Sequence, residues 1–249
     1  MCVAALAWHA HPRWRLVAIG NRDEYHQRPA AALARWADGS GILAGRDMVG
    51  GGTWLGIDQA GRFALITNRR GFGDPDPARR SRGELVSALL TGDEPPVALD
   101  AYNPFNLLAA HGDTLEYLTN RPEPLRTLLG HGVYGLSNGA LDEPWPKTLA
   151  LKGALTDWLG TASDEPAPLF AILASDDRPA LGLPSDEASD IAIEPRDTPP
   201  FARSPHYGTR CSTIVTVDHQ GLGRIAERRF DAAGRAVGDT ALDFRWPAA

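Results

Sequence analysis

Cys2 is the residue whose type and position offer the most chemistry. An initiator methionine is removed when the next side chain is small, and removal of Met1 would leave a thiol and a free α-amine on one residue. That amine titrates near pH ~8, so at neutral pH it accepts the thiol proton without a histidine, and nucleophile and general base coincide. The competing reading is a small apolar residue opening a strand, since free cysteine packs as a hydrophobe. Asn21-Arg22-Asp23-Glu24 comes next: a guanidinium near the sulfur favours thiolate, and a carboxylate orients the α-ammonium or the arginine. Thr67-Asn68-Arg69, Leu136-Ser137-Asn138-Gly139 and Gly208-Thr209-Arg210-Cys211-Ser212-Thr213 each pair a strand end with an amide or guanidinium. Asparagine amides at such places donate to an oxyanion, while Asn138-Gly139 alone reads as a turn.

The elements that must position these residues follow from periodicity. Cys2 to Trp8 and Arg15 to Gly20 are apolar runs around a turn at Pro12, which predicts a β-hairpin and a loop carrying residues 21–24 and Pro29. Gly41 to Ala44, Thr53 to Ile57 and Arg62 to Asn68 read as further strands, and Gly71 to Arg82 as a surface loop. Ser81 precedes Leu85, Leu89 and Leu90 at helical spacing. Asn106 to Ala110 and Thr114 to Thr119 flank a turn, and Val133 to Asn138 is another strand. Pro146 opens a helix over 147–159 that ends at Gly160. Residues 163–205 read as irregular surface with a short helix at Leu169 to Leu173, before strands at Ser212 to Val217, Gly223 to Phe230 and Ala241 to Phe244. Sheet at both ends with helices between does not alternate as βαβ units do, which favours an α+β layered fold on antiparallel sheets, in one domain over 1–249.

Composition narrows the classes. The 249 residues carry 25 Lys and Arg against 31 Asp and Glu, a net charge of −6 that disfavours a nucleic-acid partner. Two cysteines exclude a disulfide scaffold and cannot alone make a four-sulfur metal site. His9 and His11 lack a third ligand, so no metal is expected. Gly50-Gly51-Gly52 lacks the Lys-Ser/Thr of a phosphate loop and reads as a turn. The apolar runs near the amino end are too short and broken for a signal peptide or an integral membrane segment, and Met1 fits a primary translation product. The expectation is a cytoplasmic protein.

Five ordered segments carry a family resemblance: Met1-Cys2 with Asn21 to Glu24; Gly45-Arg46-Asp47 with Gly51-Gly52-Thr53-Trp54-Leu55-Gly56; Thr67-Asn68; Gly135-Leu136-Ser137-Asn138 with Pro144-Trp145-Pro146-Lys147; and Gly208 to Thr213. The chain resembles the NRDE family, the group that includes the transport and Golgi organization 2 proteins, along essentially its whole length. The resemblance implies a four-layer αββα sandwich of the N-terminal-nucleophile hydrolase type, related to choloylglycine hydrolases and penicillin V acylases. It further implies Cys2 as nucleophile, Asp23 steadying the α-amine, Asn68 and Asn138 serving the oxyanion or the amine, and Arg210 and Arg22 supporting the site. In those hydrolases an arginine stands three residues before the aspartate, where this chain has Gly20.

Two functions follow as expectations. One is hydrolysis of an amide or thioester of a hydrophobic acyl substrate through an acyl-enzyme on Cys2, which requires no cofactor. The other, since eukaryotic family members are associated with haem mobilisation and lipid homeostasis, is a non-catalytic carrier of haem or an acyl-CoA-like lipid.

Overall fold

The computed structural model describes residues 2–95, 98–161, 165–177 and 198–248. Among the described residues, thirteen strands and three α-helices run in the order β1 (Val3–Trp8), β2 (Trp14–Tyr25), β3 (Ala30–Arg35), β4 (Leu43–Asp47), β5 (Leu55–Ile57), β6 (Arg62–Asn68), α1 (Arg82–Thr91), β7 (Phe105–His111) and β8 (Thr114–Thr119). They continue with β9 (Leu125–Leu129), β10 (Gly132–Leu136), α2 (Pro146–Leu159), α3 (Ala167–Leu173), β11 (Tyr207–Asp218), β12 (Leu222–Phe230) and β13 (Ala236–Arg245). The strands form two antiparallel sheets, ordered β10-β1-β2-β11-β12-β13 and β3-β4-β5-β6-β7-β8-β9.

Alternation in β1 explains the layering. Val3, Ala5 and Ala7 face α2 and α3, packing with Leu151, Leu155, Trp158, Leu169 and Leu173. Ala4, Leu6 and Trp8 point the other way and meet Leu33, Leu43, Leu55, Phe63 and Leu65 of the second sheet. The outer face of that sheet is closed by Leu85, Val86 and Leu90 of α1. A strand apolar on both faces is what a central layer requires. The order is therefore helix, sheet, sheet, helix. Among the described residues no helix is long and apolar enough to cross a membrane.

The hairpin, both central helices and the carboxyl-terminal strands fall where periodicity puts them. One expectation fails where it matters: residues 21–24 are not a loop. β2 runs twelve residues to Tyr25, because β11 pairs with it through Ser212↔Asn21, Cys211↔Arg22 and Thr209↔Asp23. Ladder pairing satisfies the backbone, and partners from other segments meet the polar side chains, so the charged run stays extended, with Asn21, Arg22 and Asp23 buried and Glu24 half-buried. The expected short helix is α3, whereas residues 178–197 of the expected irregular stretch lie outside the described residues.

Candidate active site around Cys2

Cys2 sits just ahead of β1. The pairing Val3↔Asn21 sets it beside Arg22, and Leu136↔Ala4 brings the chain leaving β10 past its other side. Ser137 Oγ donates to the Cys2 carbonyl at 3.0 Å. The residue is partly open to solvent, whereas Val3 is fully buried. Burial pushes the thiol pKa up and the Asp23 carboxylate acts in the same direction, while the Asp23 backbone N–H and the Arg22 charge favour thiolate.

Asp23 is buried, and its Oδ1 accepts from Thr209 Oγ1 at 2.7 Å. Burial raises its pKa against the opposing charges of Lys147 and Arg22 and the Thr209 bond. Arg22, 8% exposed, points between the sheets, with Nη2 3.1 Å from Asp47 Oδ2 and 3.6 Å from Glu24 Oε2. Arg28 Nε donates to the same Asp47 oxygen at 2.7 Å. Burial alone would raise the Asp47 pKa, but Arg28 and the N–H groups of Gly50 and Val49 outweigh it and hold the carboxyl below its ordinary range. Arg22 Nη1 is buried with no hydrogen-bond partner among the described residues.

Asn138 is fully buried, and its Nδ2 donates to the Asn68 carbonyl at 2.7 Å. Asn68 itself is exposed at the end of β6 and meets the cluster through that carbonyl. Arg210 occupies the bulge between Thr209 and Cys211. Its Nη1 donates to the carbonyls of Tyr25, His26 and Arg28 at 2.9, 3.0 and 3.1 Å, so it pins the turn after β2. Cys2, Arg22, Asp23 and Asn138 are thus brought together, Asn68 abuts them through its backbone, and Arg210 holds the Arg28 turn beside them.

Two cations that the sequence did not assign to the site also face it. Lys147, in the first turn of α2, is 1% exposed, and burial pushes its pKa down to about 8 against the charges of Asp23 and Cys2. Its signal was spacing: Lys147, Leu151 and Leu155 share one helical stripe, so a charge lies in the buried face. Arg82 opens α1, and its charge also faces Cys2 and Glu24. It gets there because Gly52 lies directly on the Gly83 backbone, an approach no Cβ would allow, which seats the start of α1 against the loop before β5. Gly20 makes the second such contact. A Cβ there would fall 2.9 Å from the Val3 carbonyl and 3.1 Å from the Trp54 ring. Trp54 therefore fills the space that an arginine three residues before Asp23 would need. His9, far along β1 from Cys2, gathers instead with His131 and His219, and among the described residues no cluster of three or more His, Cys, Asp or Glu is arranged to hold a metal.

Layering and site together define an αββα sandwich of two antiparallel sheets with a cysteine at its second residue, at the edge of the inter-sheet layer. The chain belongs to the Transport and Golgi organisation 2 family, whose profile matches residues 1–232. It is 35% identical over 259 residues to the Bos taurus Transport and Golgi organization protein 2 homolog, covering 92% of each chain. It is 33% identical over 258 residues to the Homo sapiens homolog, again with 92% of each covered. A solved structure, the Caenorhabditis elegans N-acylethanolamine-hydrolyzing acid amidase (NAAA) ortholog, aligns at TM-score 0.49 and 10% identity over 86% of this chain and 92% of that one.

Proposed function

We propose that this chain is an N-terminal cysteine hydrolase that cleaves an amide or thioester of a hydrophobic acyl substrate once Met1 is removed. The observation that carries the reading is that segments distant in sequence meet at a partly open Cys2: the Asp23 N–H faces its sulfur, and Ser137, next to Asn138, binds its carbonyl. In the processed chain the α-amine takes the Sγ proton, and the thiolate attacks the acyl carbonyl. Asn138 spends one amide hydrogen on Asn68 and keeps the second for the oxyanion. The ammonium returns its proton to the leaving amine or thiol, an acyl thioester remains on Cys2, and water, deprotonated by the same amine, releases the acid. Burial without processing leaves the thiol poorly ionised, so Met1 removal is the activating event.

The test is intact mass spectrometry of the processed chain with a panel of acyl amides and thioesters. An acyl adduct on Cys2 that forms and decays with turnover, absent when Met1 is retained, is the expected result. Equal reactivity of both forms overturns the reading.

The raised thiol pKa of Cys2 favours a second reading for a chain that keeps Met1: a carrier of haem or an acyl-CoA-like lipid. Arg22, with its unpartnered Nη1, and Arg82 would receive the propionates or phosphates. A Soret band with haemin that Arg22→Ala weakens, together with no acyl turnover, would favour it.

A further inference from the structure

We propose that Lys147 is a positioning residue for the terminal-cysteine chemistry: from the helix layer it supplies the counter-charge to Asp23, which keeps the Cys2 α-amine neutral and free to accept the thiol proton. The inference rests on the hydrolase reading above.

Lys147 is among the largest fully buried side chains of the protein. Taking an ammonium out of water is strongly unfavourable unless an opposite charge meets it, and the groups that can supply one to Lys147 are the Asp23 carboxylate and, once it ionises, the Cys2 thiol. Arg70, after β6, is the like charge nearby, and Arg22 faces Asp23 from the same strand. The position is held from two sides. Leu151 and Leu155 lock α2 onto Val3 and Ala5 of β1, and the Trp145 ring lies 5.7 Å from Nζ. The side chain therefore approaches Asp23 from the face opposite the inter-sheet layer, where no substrate displaces it.

The consequence is electrostatic. Asp23 alone would raise the pKa of both groups, so at neutral pH the amine would already hold its own proton as ammonium and have no lone pair free to accept the one on Sγ. A positive charge on Lys147 acts in the contrary sense on both groups and lowers the pH at which the pair loses its first proton. Lys147 exchanges no proton with the substrate. The Sγ proton passes to the α-nitrogen and from there to the leaving group.

The experiment is pH-dependent carbamidomethylation of the full processed chain with iodoacetamide between pH 5.5 and 8, read at Cys2 by peptide mass so that Cys211 does not contribute. Lys147→Met is expected to move the half-maximal pH up by about one pH unit, slowing labelling at pH 6.5 about five- to tenfold, while Lys147→Arg restores most of the wild-type profile. Folding is checked by thermal melting. A Lys147→Met profile that superimposes on wild type overturns the assignment but leaves the hydrolase reading standing. Wild-type labelling that ignores Met1 removal overturns both. Should the variants not fold, the Lys147 side-chain titration in wild type, followed by lysine-selective NMR, is expected to move down when Cys2 is carbamidomethylated; an unmoved titration overturns the assignment.

Discussion

Asn21 opens the charged tetrapeptide, yet its surroundings give it a purely structural task. It is fully buried, with Nδ2 donating to the carbonyls of Leu173 at 2.7 Å and Pro200 at 2.8 Å, while Oδ1 accepts from Ser212 Oγ at 2.6 Å. One amide thereby ties the end of α3, the segment leading to β11, and β11 itself to β2. In Asn21→Ala two buried carbonyls lose their donor, each costing about 1–3 kcal/mol, and the Ser212 hydroxyl must find another acceptor. The expected loss is about 3–5 kcal/mol, a large share of a typical total of about 5–15 kcal/mol. Ser212→Ala leaves one acceptor unpaired and should cost about 1–2 kcal/mol, with clear non-additivity in the double variant. Equilibrium urea unfolding measures the stabilities, and alkylation of Cys2 at a temperature where all variants are folded measures the site. The structural assignment is refuted if Asn21→Ala stays within about 1 kcal/mol of wild type, or if Cys2 reactivity collapses while stability holds.

The histidine cluster gives a pH dependence of definite sign. Burial, then the neighbouring His131 and His219, hold the His9 pKa below its ordinary 6.5, with Arg15 acting likewise and Asp113 opposing. The unfolded chain therefore binds this proton more readily, and His9 should cost stability as pH falls below about 6.5. Urea midpoints at pH 7.5 and 5.5 should converge in His9→Asn relative to wild type, asparagine being tolerant of the positive φ of 44° at this position; an unchanged difference contradicts the assignment. Gly20→Ala should cost about 1–3 kcal/mol through overpacking against Val3 and Trp54, part of it recovered when Trp54→Leu is added. Lack of any such recovery by thermal melting would show that the Trp54 contact is not the source.

What the sequence made legible was local. Apolar runs found most strands, and helical spacing with Pro146 found α2. The second sheet's edge strands escaped for a physical reason: β3, an alanine-rich segment, buries Leu33 alone, and β9 is largely exposed, so neither alternates clearly. Residues 21–24 read as a loop because a charged run after a strand is usually solvated. The pairing that keeps them extended comes from β11, nearly two hundred residues on in sequence. Thr209 and Arg82 were illegible as site residues for the same reason, since a close approach such as Gly52 on Gly83 leaves no trace in spacing, whereas Lys147 betrayed its burial by helical spacing but not the partner it meets.

Because residues 21–24 are strand and not loop, a period of two divides their work. Asn21 and Asp23 face the helix layer, where α3 and Lys147 meet them. Arg22 and Glu24 face the second sheet, where Asp47 and Arg28 meet them. Cys2 lies on the Arg22 side, packed against the inter-sheet core, but the N–H of Asp23 faces its sulfur, so the thiol is influenced from both faces of one strand. A loop of the same four residues could present all its charges to one cleft; a strand cannot. The thiol therefore meets a guanidinium on its own side and a carboxylate across the backbone, and that carboxylate can be neutralised from the helix layer without filling the space between the sheets. A one-residue slip of β2 against β1 would exchange these faces and put Asp23 among the inter-sheet leucines, so the register of β2 is as much a condition of the proposed chemistry as the residues themselves.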